Sequence, residues 1–397
     1  MKNSPLTLDQ AAFEGKRVFV RVDFNVPLDK GNIADDSRIR AALPTIKTLL
    51  AGGASPIIAS HLGRPGGRIK DELSMIPVAK RLQLILGSQY DVILAKDVGG
   101  PDSQEKASRL KAGSLLLLEN LRFEKEETEN GRDFAKGLAE LADMFVQDAF
   151  GACHRTHASV SRLPRLLKPA LAGRLIEKEI AAFEQAFNSP SPPVAAIVGG
   201  AKVSDKIQVL EALLDKVDYL LIGGGMAYTF LLSQGKSVGD SLIEEGHIDT
   251  ARMVIEKAKK ANVELLLPCD HVAADRFAAD AATHTVEAIP NGWMGLDIGP
   301  ATQAAFTETL SNAATVIWNG PMGVFEMAPF RTGTAAIARA LAQSKATSIV
   351  GGGDSVAAVK GENLEHAIHH LSTGGGAFLA MLEGKELPGL AALDTNS

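Results

Sequence analysis

Pro56-Ile57-Ile58-Ala59-Ser60-His61-Leu62-Gly63-Arg64 is an apolar run of strand length that passes directly into a loop carrying a histidine and an arginine. The same pattern recurs in Val18-Phe19-Val20-Arg21-Val22-Asp23-Phe24-Asn25, in Leu115-Leu116-Leu117-Leu118-Glu119-Asn120-Leu121-Arg122 and in Met144-Phe145-Val146-Gln147-Asp148-Ala149-Phe150-Gly151-Ala152-Cys153-His154-Arg155. Apolar runs that alternate with helical stretches predict an α/β fold with mainly parallel sheets. Ligands of such sheets bind beyond the carboxyl ends of the strands. Arginine holds carboxylate or phosphate through two parallel hydrogen bonds. The recurrence therefore predicts a cationic cup for a small molecule with several negative charges.

Working outward, helices are expected over Asp36 to Ala51, Ile76 to Leu86 and Phe134 to Leu141. A long charged helix is expected over Leu175 to Phe187, and Asn188-Ser189-Pro190-Ser191-Pro192-Pro193 then breaks the pattern. Proline removes backbone donors and restricts its neighbours, so neither a helix nor a central strand continues through that segment. Two lobes of similar size are predicted, 1–187 and 188–383, each a mainly parallel, doubly wound, Rossmann-like sheet flanked by helices and joined by a helix and hinge.

The 397 residues are 46% hydrophobic and 22% charged, an ordinary globular balance with ample core material. A net charge of −6 argues against a dedicated nucleic-acid binder and makes the cationic loops a local feature. Neither a membrane-spanning stretch nor a signal core at Met1-Lys2-Asn3-Ser4-Pro5 is read. Two cysteines, Cys153 and Cys269, exclude a disulfide framework and fit a reducing cytoplasm.

The second lobe repeats a unit of strand, glycine turn and helix, at Gly199-Gly200-Ala201-Lys202, Gly223-Gly224-Gly225 and Gly351-Gly352-Gly353-Asp354-Ser355. A fourth cluster, Thr373-Gly374-Gly375-Gly376, is expected to follow a helix. Glycine lets backbone N–H groups approach phosphate, and the helix N-terminus behind it favours negative charge. No P-loop and no clean Gly-x-Gly-x-x-Gly is present, so any nucleotide is held by another arrangement. Lys202 and Lys206, spaced i, i+4, are expected on one face of a first helical turn, gripping a phosphoryl group or simply solvated. Asp354 reads as a magnesium-side carboxylate or as a helix N-cap shared with Ser355. Glu326, after the turn at Gly320-Pro321, reads as a ribose-hydroxyl acceptor or as a solvated loop residue.

In the first lobe, Arg38 and Arg40 open a helix and read as surface cover, while Arg64 sits in a turn. Cys153, His154 and His157 lack a fourth ligand at zinc spacing, and Cys153 reads as a small packed side chain. His366, His369 and His370 are expected on an exposed helical face. Arg21, inside a strand, reads as structural.

Taken in order, Arg21 to Pro27, Ser60 to Pro65, Leu118 to Phe123, Gly199 to Lys206, Trp318 to Glu326, Gly351 to Ser355 and Ser372 to Gly376 resemble the motifs of the phosphoglycerate kinases. The likeness runs from about Arg17 to Leu390 and departs at Cys153, where that family more often has alanine. It implies reversible phosphoryl transfer from 1,3-bisphosphoglycerate to ADP, giving 3-phosphoglycerate and Mg-ATP. It places acid-substrate contacts on Asp23, Asn25, Arg38, His61, Leu62, Gly63, Arg64, Arg122 and Arg155. It places nucleotide contacts on Lys202, Lys206, Gly295, Glu326, Gly352, Gly353, Asp354 and Ser355, with Asp354 on the Mg2+ side. Arg38, Lys202, Gly353 and Gly376 fall beside the transferred group, which overrides the surface reading of Arg38. The resemblance further implies a monomer acting on small molecules in the cytoplasm, without nucleic acid or membrane. It also implies that bending around Leu175 to Pro193 closes the lobes and that a tail, 384–397, returns to the first lobe. A two-domain NAD-dependent dehydrogenase and a two-lobed anion-binding protein are the rival readings. The first requires a dinucleotide turn, and the second requires an export signal.

Overall fold

A computed structural model describes residues 4–395. Met1 to Asn3, where the expected signal-free terminus begins, and Asn396 and Ser397 of the expected tail lie outside the described residues. Two compact units emerge, Met1–Ile180 with Glu386–Ser397 (unit 1) and Ala181–Lys385 (unit 2). The division falls inside the helix Arg174–Phe183, ahead of the proline-rich segment. Phe183 and Phe187 pack with one another at 4.8 Å, and Phe183 meets the ring of Phe378 edge-on at 6.2 Å, which draws the end of that helix into unit 2.

In unit 1 the strands lie in the order Asp91–Leu94, Ser114–Leu117, Ser55–Ala59, Arg17–Val22, Met144–Asp148 and Ala170–Ala172. Every pairing is parallel. Val18, Phe19, Val20 and Val22 are all fully buried, so the central strand is apolar on both faces, as a sheet covered by helices on both sides requires. Phe19 stacks on Phe145 of the neighbouring strand at 6.0 Å. The helices Ser37–Ala51, Ile76–Leu86 and Arg132–Ala139 match the expected ones to within a few residues. Ile39, Ala42, Ile46 and Leu49 form the buried stripe of the first. The first strand of the sheet is the central one; the later strands fill one side and then the other, so the strand order reverses at Arg17–Val22.

Unit 2 repeats the plan with Glu264–Leu266, Tyr219–Ile222, Val194–Val198, Thr315–Asn319, Thr347–Gly351 and His370–Leu371. Its reversal lies between Val194–Val198 and Thr315–Asn319. A three-stranded antiparallel sheet, ordered Thr283–Val286, His271–Ala274 and Met294–Ile298, was not foreseen. Thr283, His284 and Thr285 are all exposed, so that edge strand carries no alternating apolar signal. His370 is buried on a strand rather than exposed on a helix, because Ile349 pairs with it in register. The last glycine cluster accordingly follows a strand, not a helix.

The end of the chain is sewn into unit 1. Leu6 N donates to Asp394 O at 2.7 Å, Asp394 N donates to Ala170 O at 2.9 Å, and Gly389 N donates to Cys153 O at 2.9 Å. The Asp394 carboxylate also accepts from Lys168 and from Ala170 N. Cys153 is fully buried, and Gly389 packs directly against it. No helix among the described residues is long and apolar enough to cross a membrane.

The helix Arg174–Phe183 starts on two buried acceptors. Thr45 Oγ1 accepts from Arg174 N at 2.8 Å, and Asp148 Oδ1 accepts from Leu175 N at 3.0 Å. Asp148 is fully buried and its Oδ2 has no partner. Burial pushes its carboxyl up to about 7, against the opposing hydrogen bonds from Thr45 and the helix N–H groups. The folded chain thus holds this proton more tightly than the unfolded chain, and stability falls as pH rises from about 4 to about 7. Asp148→Asn is expected to remove about 1.4 kcal/mol of that loss per pH unit within the window. Urea unfolding of both proteins across the window checks this; parallel pH profiles would refute it.

Candidate active site

The cationic loops of unit 1 are tied together by side chains that bond to backbone. Ser60 Oγ accepts from Phe24 N at 2.7 Å, and Asn25 Oδ1 accepts from Gly63 N at 2.8 Å. Asn120 is fully buried; its Oδ1 accepts from Leu62 N and Arg122 N, both at 3.1 Å, while its Nδ2 donates to Leu62 O at 2.6 Å and Leu73 O at 3.1 Å. Arg122 Nη1 donates to Gly63 O at 2.9 Å. The N–H groups of Leu62 and Gly63 are therefore engaged within the protein.

On this frame the charged residues gather. Arg38, the second residue of its helix, donates to Asp23 Oδ2 at 2.9 Å rather than lying on the surface as helix cover. Burial alone would raise the Asp23 carboxyl, but His61, Arg38 and Arg21 beside it, with the N–H of Asn25, outweigh it and hold it below its ordinary value. His61 is buried, and burial, with the charges of Arg21, Arg122 and Arg38, outweighs the opposing Asp23 carboxylate and pushes it well below its ordinary value, so it is neutral at pH 7. Arg122 is half-buried, and burial, Arg21 and Arg155 lower it; its Nε is buried without a partner. Arg155 is exposed, as is Arg64 on the His61 loop. Arg21, by contrast, is fully buried beneath them. Among the described residues no group of three or more His, Cys, Asp or Glu gathers as metal ligands would.

The glycine turns of unit 2 line a cavity of about 340 Å³. Gly199, Gly200, Gly352, Gly353, Gly375 and Gly376 supply its backbone walls, and Lys202, Lys206, Asp354 and Ser355 its side chains. Lys202 and Lys206 are not on a helix, which begins only at Ile207. Gly200 takes φ +122, and Glu244 pins the turn by accepting from Ser204 N at 2.9 Å and Ser204 Oγ at 2.7 Å. Lys206 donates to Asn319 Oδ1, and burial lowers its ammonium. Gly352 takes φ +95 and caps the helix Gly353–Gly361, so Asp354 is in the first turn rather than at the N-cap. Ser355 is buried, and its Oγ accepts from Gly320 N at 2.7 Å.

A second cavity, of about 570 Å³, shares Gly200, Ala201, Pro321 and Asp354 with the first. Leu242, Phe277, Met294, Leu296 and Val324 make it apolar, and Gly295 and Glu326 line it. An apolar chamber joined to a glycine-walled cationic one has the division of a nucleotide: a base and ribose, then phosphates. Both lie at the strand-order reversal of unit 2, where ligands of such sheets bind. Phe277, 60% exposed, had no signal in its alanine-rich loop. Asn120 and Asn319 lie within the segments Leu118 to Phe123 and Trp318 to Glu326, but spacing does not show which backbone groups a side chain will hold.

A family model described as phosphoglycerate kinase matches residues 8–385. The phosphoglycerate kinase of Synechococcus elongatus is 53% identical over 399 residues, covering 99% of each chain. The cytosolic phosphoglycerate kinase of Nicotiana tabacum is 54% identical over 400 residues, again covering 99% of each. The structure of phosphoglycerate kinase from Coxiella burnetii superposes with a TM-score of 0.88 at 43% identity, covering 98% of both chains. That from Pyrococcus horikoshii gives 0.81 at 33% identity with the same coverage.

Removing the Asn120 amide would leave buried Leu62 N–H and C=O groups without partners. Asn120→Ala is expected to cost about 2–4 kcal/mol, measured by urea unfolding. A loss below about 1 kcal/mol would show that the loop does not depend on this clamp.

Proposed function

This chain belongs to the phosphoglycerate kinase family, and on that premise we propose how its residues divide the work. The enzyme transfers a phosphoryl group reversibly from 1,3-bisphosphoglycerate to ADP, giving 3-phosphoglycerate and ATP in glycolysis. The observation that carries the residue assignment is the pair of adjoining cavities in unit 2, one apolar, one walled by glycine and holding Lys202 and Lys206.

The apolar cavity takes the base, with Gly295 against it and Glu326 accepting from the ribose hydroxyls. Lys206, Gly352, Gly353 and Ser355 surround the phosphates. The acid substrate binds to unit 1, where Asn25, His61, Arg64, Arg122 and Arg155 hold its phosphate and carboxylate ends. Arg38, aimed by Asp23, and Lys202 meet the moving phosphoryl group, with the N–H groups of Gly353 and Gly376. Each attacking oxygen, an ADP phosphate in one direction and a carboxylate in the other, is already ionised near pH 7. No general base is needed, and the protein's contribution is position and charge.

Asp354 is an exposed carboxylate on both cavities, which suits a magnesium ion that arrives with its nucleotide, since Mg2+ takes one or two carboxylates plus phosphate oxygens. Bound there, the ion neutralises phosphate charge. Transfer also requires the bound acid and nucleotide to meet, and we assign that movement to bending around 175–193. The protein acts as a monomer in the cytoplasm on small molecules, without nucleic acid or membrane. Family membership removes the dehydrogenase and anion-carrier readings.

Arg38→Ala and Lys202→Ala are each expected to lower kcat by about a hundredfold or more, as loss of one charge-stabilising donor does. A coupled assay with 3-phosphoglycerate and Mg-ATP reads this; turnover near that of the unaltered enzyme would refute the assigned role. Asp354→Asn is expected to raise KM for Mg-ATP with a smaller change for 3-phosphoglycerate, and equal changes in both would detach Asp354 from the nucleotide.

A further inference from the structure

Arg21 has no solvent exposure, yet its guanidinium sits at the centre of a chain of polar contacts. Its Nε donates to Ser159 Oγ at 2.9 Å, and one terminal nitrogen donates to Val22 O. The other terminal nitrogen lies 3.2 Å from His61 Nδ1. Ser159 passes the chain on, donating from Oγ to Glu127 Oε1 at 2.7 Å and from N to Glu127 Oε2 at 2.9 Å. Glu127 is itself fully buried, and its Oε1 stands 4.0 Å from Arg21 Nη2.

The direction of the Arg21–His61 bond is forced. A guanidinium has five donors, no acceptor, and does not lose its proton in a protein. His61 Nδ1 must therefore accept, which leaves the ring proton on Nε2. A protonated Nδ1 would face the guanidinium N–H group with like charge. Burial and the surrounding arginines also favour the neutral ring, against the opposing pull of the Asp23 carboxylate.

We propose that Glu127, Ser159 and Arg21 form a positioning chain that fixes His61 as the neutral Nε2–H tautomer, so that His61 offers the acid substrate a directed hydrogen bond and no charge. The substrate half of this rests on the assignment of His61 to the acid site. Glu127 holds Arg21 as its buried counter-charge, and Ser159 sets the rotation of the guanidinium. The cationic strength of the site then comes from its arginines alone.

The test uses the full chain with ¹⁵N-labelled histidine and long-range proton–nitrogen correlation at neutral pH. Without ligand, His61 is expected to show an unprotonated Nδ1 and a protonated Nε2. An Nδ1–H ring or an imidazolium would overturn the proposal. In Ser159→Ala, with Glu127→Gln as the second variant, His61 is expected to become a mixture of tautomers. A tautomer that stays fixed in both would overturn the positioning chain. Ser159→Ala is further expected to raise KM for 3-phosphoglycerate about tenfold, the worth of one hydrogen bond to a charged group, and by a larger factor than it changes kcat. Addition of 3-phosphoglycerate should shift His61 Nε2 in the unaltered protein. An unmoved Nε2 on a correctly protonated ring would overturn the assignment of His61 to the acid site and leave the tautomer standing.

Discussion

Parallel strands cannot be joined by a tight turn, so each crossover must leave the sheet and return over its face. Every strand then delivers its carboxyl end to the same edge. Both units are organised by this constraint. In unit 1 it brings the loops after Arg17–Val22, Ser55–Ala59, Ser114–Leu117 and Met144–Asp148 to one place, although they are spread over more than a hundred residues of sequence. In unit 2 it brings the turns after Val194–Val198, Thr315–Asn319 and Thr347–Gly351 around one cavity. Neither site could be assembled from a contiguous segment.

Gathering cations at an edge has an electrostatic cost, and the protein meets it with carboxylates of two kinds. Asp23 pairs with Arg38 in a partly exposed position, where a single pair contributes little stability but does fix an orientation. Glu127 is fully buried with Arg21, where an unpaired charge would be strongly unfavourable. The first orients a side chain at the edge of the sheet. The second keeps a charge inside the protein, away from solvent. Unit 2 needs less of this, because the walls of its glycine-lined cavity are largely backbone, which carries only partial charge.

Most of the fold was legible because strands buried on both faces read as continuous apolar runs, and the glycine turns stood at their ends. The antiparallel sheet was not, since its edge strand is exposed and its signal does not alternate. Lys202 and Lys206 were correctly placed together for the wrong reason. Helical phase put them on one face, whereas the true cause is an irregular turn shaped by Gly200 and held by Glu244. Phe277 carried no local signal at all. Arg21 read as structural from its place inside a strand, and the structure buries it completely; what sequence could not reveal was its contact with His61, forty residues away.

The pairing of Leu6 with Asp394, and of Pro5 with Thr395, sets an order on synthesis. Unit 1 is written in two pieces, and unit 2 is written entirely between them. A ribosome releases the N-terminal piece first, yet the edge of its sheet stays unsewn until the segment around Asp394 emerges. Unit 2 has all of its sequence available earlier and can complete itself while the rest of the chain is still waiting. Domains generally fold from the N-terminus as they are made; here the segment that completes unit 1 is made only after all of unit 2.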